Sequence, residues 1–105
     1  MLMIYMKMHR TENGEILALC DEELLGKVFT EGNKELDLKL YSDFYNGEKK
    51  DEKDAESEIF EMDISSANVV GERSVSIFIN NGIAKNEEVM RIGTIPFIQI
   101  YKIRA

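Results

Sequence analysis

Several stretches of the chain alternate apolar and polar residues with the period of a half-buried strand. Over residues 2–10, Leu2, Ile4, Met6 and Met8 face one way and Met3, Tyr5, Lys7 and His9 the other. Thr11-Glu12-Asn13-Gly14 contains Asn-Gly, a strong hairpin signal, and predicts that the chain turns back there. The return strand, Glu15 to Cys20, has Ile16, Ala18 and Cys20 on one face and Leu17 and Leu19 on the other. Apolar residues on both faces predict an interior position in a sheet. Asp21 stands where a cap for a short helix over 22–25 belongs. Extended segments are expected over 27–30 and 35–41, and the latter alternates Leu36, Leu38 and Leu40 with polar residues. Residues 43–47 read as a turn anchored by Phe44 and Tyr45. Two last strands are predicted at 88–92 and 95–103, separated by Gly93-Thr94, with Ile98, Ile100 and Tyr101 entering the core.

Helical spacing takes over in the middle of the chain. Ala55, Ile59 and Met62 follow i, i+4, i+7 and predict an acidic amphipathic helix over 51–62. Residues 64–83 read as a second helix, capped by Ser65 or Ser66 and closed at Asn80-Asn81-Gly82 by a left-handed glycine. Its packing stripe holds Ala67, Val70, Gly71, Ser74, Val75 and Phe78. Gly71 is the anomaly, because a glycine inside a helix costs ~1 kcal/mol relative to alanine. Strands at both ends with two main helices between them predict an α+β two-layer sandwich. Its mixed or antiparallel sheet would carry both helices on one face, and residues 1–105 would form one domain.

Composition narrows the classes of function. Apolar residues are 44% of the chain, enough for a core, and no apolar run reaches the ~18 residues a membrane helix needs. The formal charge is −7, distributed as −4 over residues 1–47, −5 over 48–63 and +2 over 64–105. An acidic chain repels phosphate backbones over most of its surface. Arg91, Lys102 and Arg104, with Lys7 and Arg10 beside them, are the only candidates for a weak nucleic-acid contact. A single cysteine rules out an internal disulfide and fits a reducing, cytoplasmic setting.

Few catalytic chemistries find their residues. His9 and Cys20 are the only imidazole and thiol, too few for a zinc site within one chain, and no cofactor motif is present. Cys20, between a strand end and a helix start, has the placement of a reactive thiol, but Asp21, Glu22 and Glu23 oppose its ionisation. The best candidate for a polar binding site groups Asn68, Glu72 and Arg73 with the turn Gly93, Thr94 and Pro96. Glycine at 71 would let a backbone or a ligand approach this helix, while Pro96 marks an edge strand or a bulge. The competing reading makes Gly71 a packing contact and pairs Arg73 with an acid.

The pieces Met-Ile-Tyr-Met-Lys near the start, Cys20-Asp21-Glu22-Glu23-Leu24-Leu25-Gly26-Lys27, Phe44-Tyr45 with Gly47, Asn68-Val69-Val70-Gly71-Glu72 and Ile92-Gly93 with Pro96 run in one order. Together they resemble the small archaeal proteins grouped as domain of unknown function four-two-four, over nearly the whole chain. The resemblance implies a small single-domain α+β protein of archaeal type and no transferable activity. The leading expectation is a non-enzymatic binding or interaction module in a housekeeping complex, with a protein partner and, on weaker grounds, RNA. The rival is a small-molecule-binding protein or enzyme with a polar site around Asn68, Glu72 and Arg73. A homodimer through an exposed edge strand is a third possibility.

Overall fold

The computed structural model describes residues 2–62 and 64–101. Six strands form one sheet: β1 (Ile4–Thr11), β2 (Gly14–Asp21), β5 (Glu48–Lys50), β6 (Ser66–Val70), β7 (Met90–Ile92) and β8 (Ile95–Tyr101), in the order β5-β1-β2-β6-β8-β7. All neighbours are antiparallel except the central pair, β2 and β6, which run parallel. A parallel pair needs a long crossover. Here the crossover carries a two-stranded hairpin, β3 (Val28–Glu31) with β4 (Lys34–Asp37), the short helix α1 (Ser42–Tyr45), β5 and the helix α2 (Glu52–Glu61). The helix α3 (Glu72–Asn80) connects β6 to the closing β7–β8 hairpin. The fold is α+β with a mixed sheet, as the sequence predicts.

Side-chain alternation divides the core in two. Ile4, Met6, Leu17, Leu19, Ala67, Val69, Ile98 and Ile100 point to one face, where Ala55 and Ile59 of α2 and Val75, Ile77 and Phe78 of α3 cover them. Ala18, Cys20 and Val70 point to the other and meet Leu24, Leu38 and Tyr45. The two main helices therefore share one face. The opposite face has its own cover, the β3–β4 hairpin and α1, which explains why β2 is apolar on both sides. The alternation that predicted a strand reaching Tyr41 breaks earlier: β4 ends at Asp37, whose Oδ1 accepts from the amides of Lys39 and Leu40 and turns the chain. Tyr101, expected in the core, is 73% exposed on the second face.

The largest departure from the sequence reading lies at residues 64–83, which are not one helix. Ser66–Val70 is a central strand, and the helix starts only at Glu72. Gly71 is the junction, with φ +106°, a backbone state L side chains rarely adopt. A Cβ there would stand 2.3 Å from the Asp21 carboxyl carbon. The glycine is thus not a mid-helix liability but the hinge of a strand-to-helix turn. The expected stop is present: Gly82 is left-handed at φ +71°, and the amide of Ile83 reaches back to the Phe78 carbonyl at 2.9 Å.

Pro96 also differs from expectation. It lies in β8, between β6 and β7, and is fully buried rather than on an edge. The sheet tolerates it because it stands where the β6–β8 ladder ends. The Gly71 amide donates to the Pro96 carbonyl at 2.9 Å, one step beyond the Val70–Phe97 pair. Proline has no N–H to return the bond. The Gly71 carbonyl instead accepts from Val75 at 2.9 Å, the first helical bond of α3.

Candidate functional site

The strand-to-helix junction dictates where Glu72 and Arg73 point. Asp21 ends β2 beside Gly71, and its carboxylate lies at the start of α3. Oδ2 accepts from the Arg73 amide at 3.1 Å, and Oδ1 accepts from the Ser74 amide at 2.9 Å and the Ser74 hydroxyl at 2.7 Å. Asp21 does not cap the 3-10 turn at Glu22–Leu24, as its position in the sequence suggested. It caps a helix fifty residues further on, where amide hydrogens and the positive dipole end favour an anion.

Arg73 is held by the chain itself. Its guanidinium forks onto Glu23, with Nη1 donating to Oε2 at 3.0 Å and Nη2 to Oε1, while Nη2 also donates to the Met3 carbonyl at 3.3 Å. Hydrogen bonding from Arg73 holds the Glu23 carboxyl below its usual range, and Glu23 in turn raises the guanidinium. Glu72 turns outward and meets Arg91 at 3.3 Å, and Arg91 also donates to the Thr94 carbonyl at 3.4 Å. Gly93 donates its amide to Glu31 of β3, which ties the β7–β8 turn to the hairpin. Glu72, Arg91, Gly93 and Thr94 therefore converge at an exposed corner, and Pro96 is buried beneath it.

Asn68 does not join them. It is on β6, not on a helix with Glu72, and it faces the second side of the sheet opposite Gln99 of β8. Lys102 and Arg104 lie outside the described residues. Cys20 is buried, and desolvation, with Asp21 and Glu23 nearby, pushes its thiol up to about 12. It is a core side chain in its protonated form, not an activated nucleophile.

The second face carries a concavity that the sequence did not reveal. The hairpin and α1 roof the row Cys20–Val70–Phe97 and Ala18 of the next row, and leave Asn68 and Gln99 of that row accessible. A groove of about 390 Å³ results, with Asn68 and Gln99 on its floor, Tyr41, Phe44 and Tyr45 on one wall and Glu35 and Asp37 on the hairpin side. Helix α1, which supplies the aromatic wall, is pinned to β1. The His9 ring stacks on Phe44 with centroids 4.3 Å apart, its Nε2 lies 2.8 Å from the Phe44 carbonyl, and Lys7 Nζ donates to the Asp43 carbonyl at 2.7 Å. Burial pushes the Tyr45 hydroxyl up to about 12, so that side chain keeps its proton at physiological pH. No side chain among the described residues bonds the amide of Asn68 or Gln99. Two strand positions further along the same face, Ser66 and Tyr101 line a second hollow of about 440 Å³ with Thr11 and Ile16. The missing signal was Gln99, which reads in sequence as one polar position of a strand and gains meaning only when β6 pairs with β8.

Among the described residues, no group of three or more histidine, cysteine or carboxylate side chains is placed to hold a metal ion, and no helix is long and apolar enough to cross a membrane. The chain belongs to the family described as protein of unknown function (DUF424), whose model matches residues 8–103. It is similar to a solved structure of an uncharacterized conserved protein from Methanopyrus kandleri. The identity is 26%, the TM-score 0.81, and the match covers 98% of this chain and 94% of that one. No curated protein matches. The fold is thereby shared with the Methanopyrus kandleri protein, and no activity accompanies the likeness.

Proposed function

We propose that the protein is a binding module whose recognition surface is the open half of the sheet's second face, not the N-terminus of α3. The observation that carries this reading is the Asn68–Gln99 pair. Two amides stand side by side across β6 and β8, unbonded by any neighbour, on the floor of a groove walled by aromatic rings. Each amide offers a donor and an acceptor to whatever enters. Polar groups with a few precise positions amid apolar walls are what small binding sites are made of.

The other polar clusters are engaged within the chain, the buried Nε of Arg73 being the one atom there with no hydrogen-bond partner among the described residues. Asp21 is used by the amides of α3, Arg73 by Glu23 and Met3, and Glu72 by Arg91. Binding rather than catalysis is favoured because the groove presents rings, amides and carboxylates, while the one thiol is buried beneath its Leu38 and Tyr45 lining, far from ionisation at neutral pH. RNA gains little support, since the carboxylates of Glu35 and Asp37 would meet its phosphates.

The test is a titration of the isotope-labelled protein with a panel of small fragments: amides, amines, guanidines, nucleosides and carboxylates. The side-chain amide resonances of Asn68 and Gln99 are the readout. Fragments that shift both, together with the rings of Tyr41 and Phe44, are expected. A panel whose hits all move resonances at Arg73 and Glu72 instead would return the site to the helix start.

A further inference from the structure

Resting on the groove as the recognition surface, we infer that its occupant is an arginine-bearing, basic protein segment. The argument is one of charge and shape. Among the described residues, no lysine or arginine lines the groove or the neighbouring hollow on the same face. Carboxylates line the first, those of Glu35 and Asp37, whereas Glu15 beside the second shares its strand face with Leu17 and Leu19 and so turns to the helix-covered side. Glu15 is shared with Arg10 at 3.7 Å, and one oxygen of Asp37 is taken by the turn after β4, whereas Glu35 has no ion-pair partner among the described residues. Lys7 of β1 directs its ammonium to the Asp43 carbonyl and is not among the residues that line the groove. With a chain charge of −7, a cation approaching this face is steered inward and a phosphate is turned away.

The wall suits a guanidinium more closely than an ammonium. A planar guanidinium stacks on exposed rings, and Tyr41 is 60% exposed at the groove mouth. Its five N–H donors match an acceptor set made of the Glu35 carboxylate and the amide oxygens of Asn68 and Gln99. The second hollow has Tyr101 beside Ser66. Ser66 and Tyr101 lie two residues from Asn68 and Gln99 along β6 and β8. The groove and this hollow in line on one face fit an extended segment, with its cation at the groove, better than a compact small molecule.

The probe is an end-capped peptide, Gly-Arg-Gly-Arg-Gly, titrated into the full chain, with a citrulline version as its neutral isostere. The arginine peptide is expected to shift the Asn68 and Gln99 amides and the Tyr41 ring, with affinity falling as salt rises. The citrulline peptide should bind ~10-fold more weakly, the scale of one lost cation–π and charge-assisted contact. Glu35→Gln should weaken the arginine peptide ~3–10-fold, and Glu87→Gln, away from the groove, should not. Equal binding of the two peptides would overturn the inference. So would adenosine or a single-stranded oligouridylate moving the same amides while the arginine peptide leaves them unmoved, although the groove would then remain the binding surface. If nothing moves those amides, and fragments bind only at the helix start, the groove reading and this inference fall together.

Discussion

Replacing Asp21 by alanine removes one carboxylate that serves three donors of α3. It accepts from the Arg73 amide at 3.1 Å, the Ser74 amide at 2.9 Å and the Ser74 hydroxyl at 2.7 Å. Asp21 is 2% exposed and Ser74 fully buried, so water has no direct route to the stranded donors. Loss of a helix cap costs ~1 kcal/mol, and each buried donor left unpaired adds roughly 1–3 kcal/mol. The terms overlap, since a single group makes all three bonds. The expected loss is therefore ~3 kcal/mol rather than the sum, a large share of the ~5–15 kcal/mol available to a domain. In a chain of this size that corresponds to a fall in Tm of ~15 °C. Asp21→Asn keeps one acceptor oxygen in the same place and should lose only ~1 kcal/mol. Urea unfolding followed by far-UV circular dichroism reads both variants, and the slope with denaturant should stay at its wild-type value. Hydrogen exchange at Arg73 and Ser74 reports the loss locally. A loss below ~0.5 kcal/mol for Asp21→Ala would refute the assignment of the carboxylate as the cap of α3.

Gly71→Ala should be at least as damaging, ~3 kcal/mol or more, because it adds left-handed strain to a Cβ that stands 2.3 Å from the Asp21 carboxyl carbon. Combined with Asp21→Ala it should fall short of additivity, since both disturb the same cap, and strict additivity in a double-mutant cycle would argue against that link. Stability should decline at high pH. The folded chain holds the Cys20 proton up to about 12, whereas the thiol's ordinary value is 9.0, and Tyr45 behaves alike between 10.0 and about 12. Stability is thus intact below pH 9 and falls above it by up to ~1.4 kcal/mol per pH unit for each group, and a flat urea midpoint from pH 8 to 11 would contradict their burial. For the same reason iodoacetamide should label Cys20 at neutral pH only when the chain is unfolded. Glu23, held below its usual value by Arg73, acts in the opposite direction, so the stability it contributes is present at neutral pH and is lost as the pH falls through its folded-state value. Arg73→Lys removes the fork onto Glu23 while keeping the charge, and it should reduce that acid-side dependence. Unchanged acid unfolding in this variant would show that the fork does not set it.

Local pattern was a good guide wherever an element could be recognised from its own residues. The alternation at residues 2–10 and the i, i+4 spacing of Ala55 and Ile59 correspond to β1 and α2, within a residue or two at each end. The pattern misled where two readings share it. Ala67, Val69 and Val70 form a short apolar run, which periodicity alone does not assign to strand or helix. Joined to the true helix after Glu72, they imitate one continuous amphipathic stripe. The signal that separates them is Gly71, whose cost in a helix is the mark of a backbone doing something else. Nothing local told that Asp21 would be its neighbour, because that depends on the parallel pairing of β2 with β6 across fifty residues.

The same non-local pairing explains why Asn68, expected beside Glu72 and Arg73 on one helix, stands on a different face from them. Charged residues next to a glycine look like a site, yet the glycine exists so that Asp21 can reach the α3 amides, and the charge on Arg73 is spent on Glu23. Those residues stabilise the point where two central strands end. That point fixes the register of β8 through the Gly71–Pro96 bond, and the register sets Gln99 opposite Asn68. The chain's most conspicuous residues thus build the scaffold, and two amides that look ordinary in the sequence occupy the face the scaffold leaves open. This ordering has a measurable consequence: Asn68→Ala and Gln99→Ala, on an exposed floor, should each change stability by less than ~1 kcal/mol while abolishing the ligand-induced shifts. Destabilisation as large as that of Asp21→Ala would instead assign the pair to the scaffold.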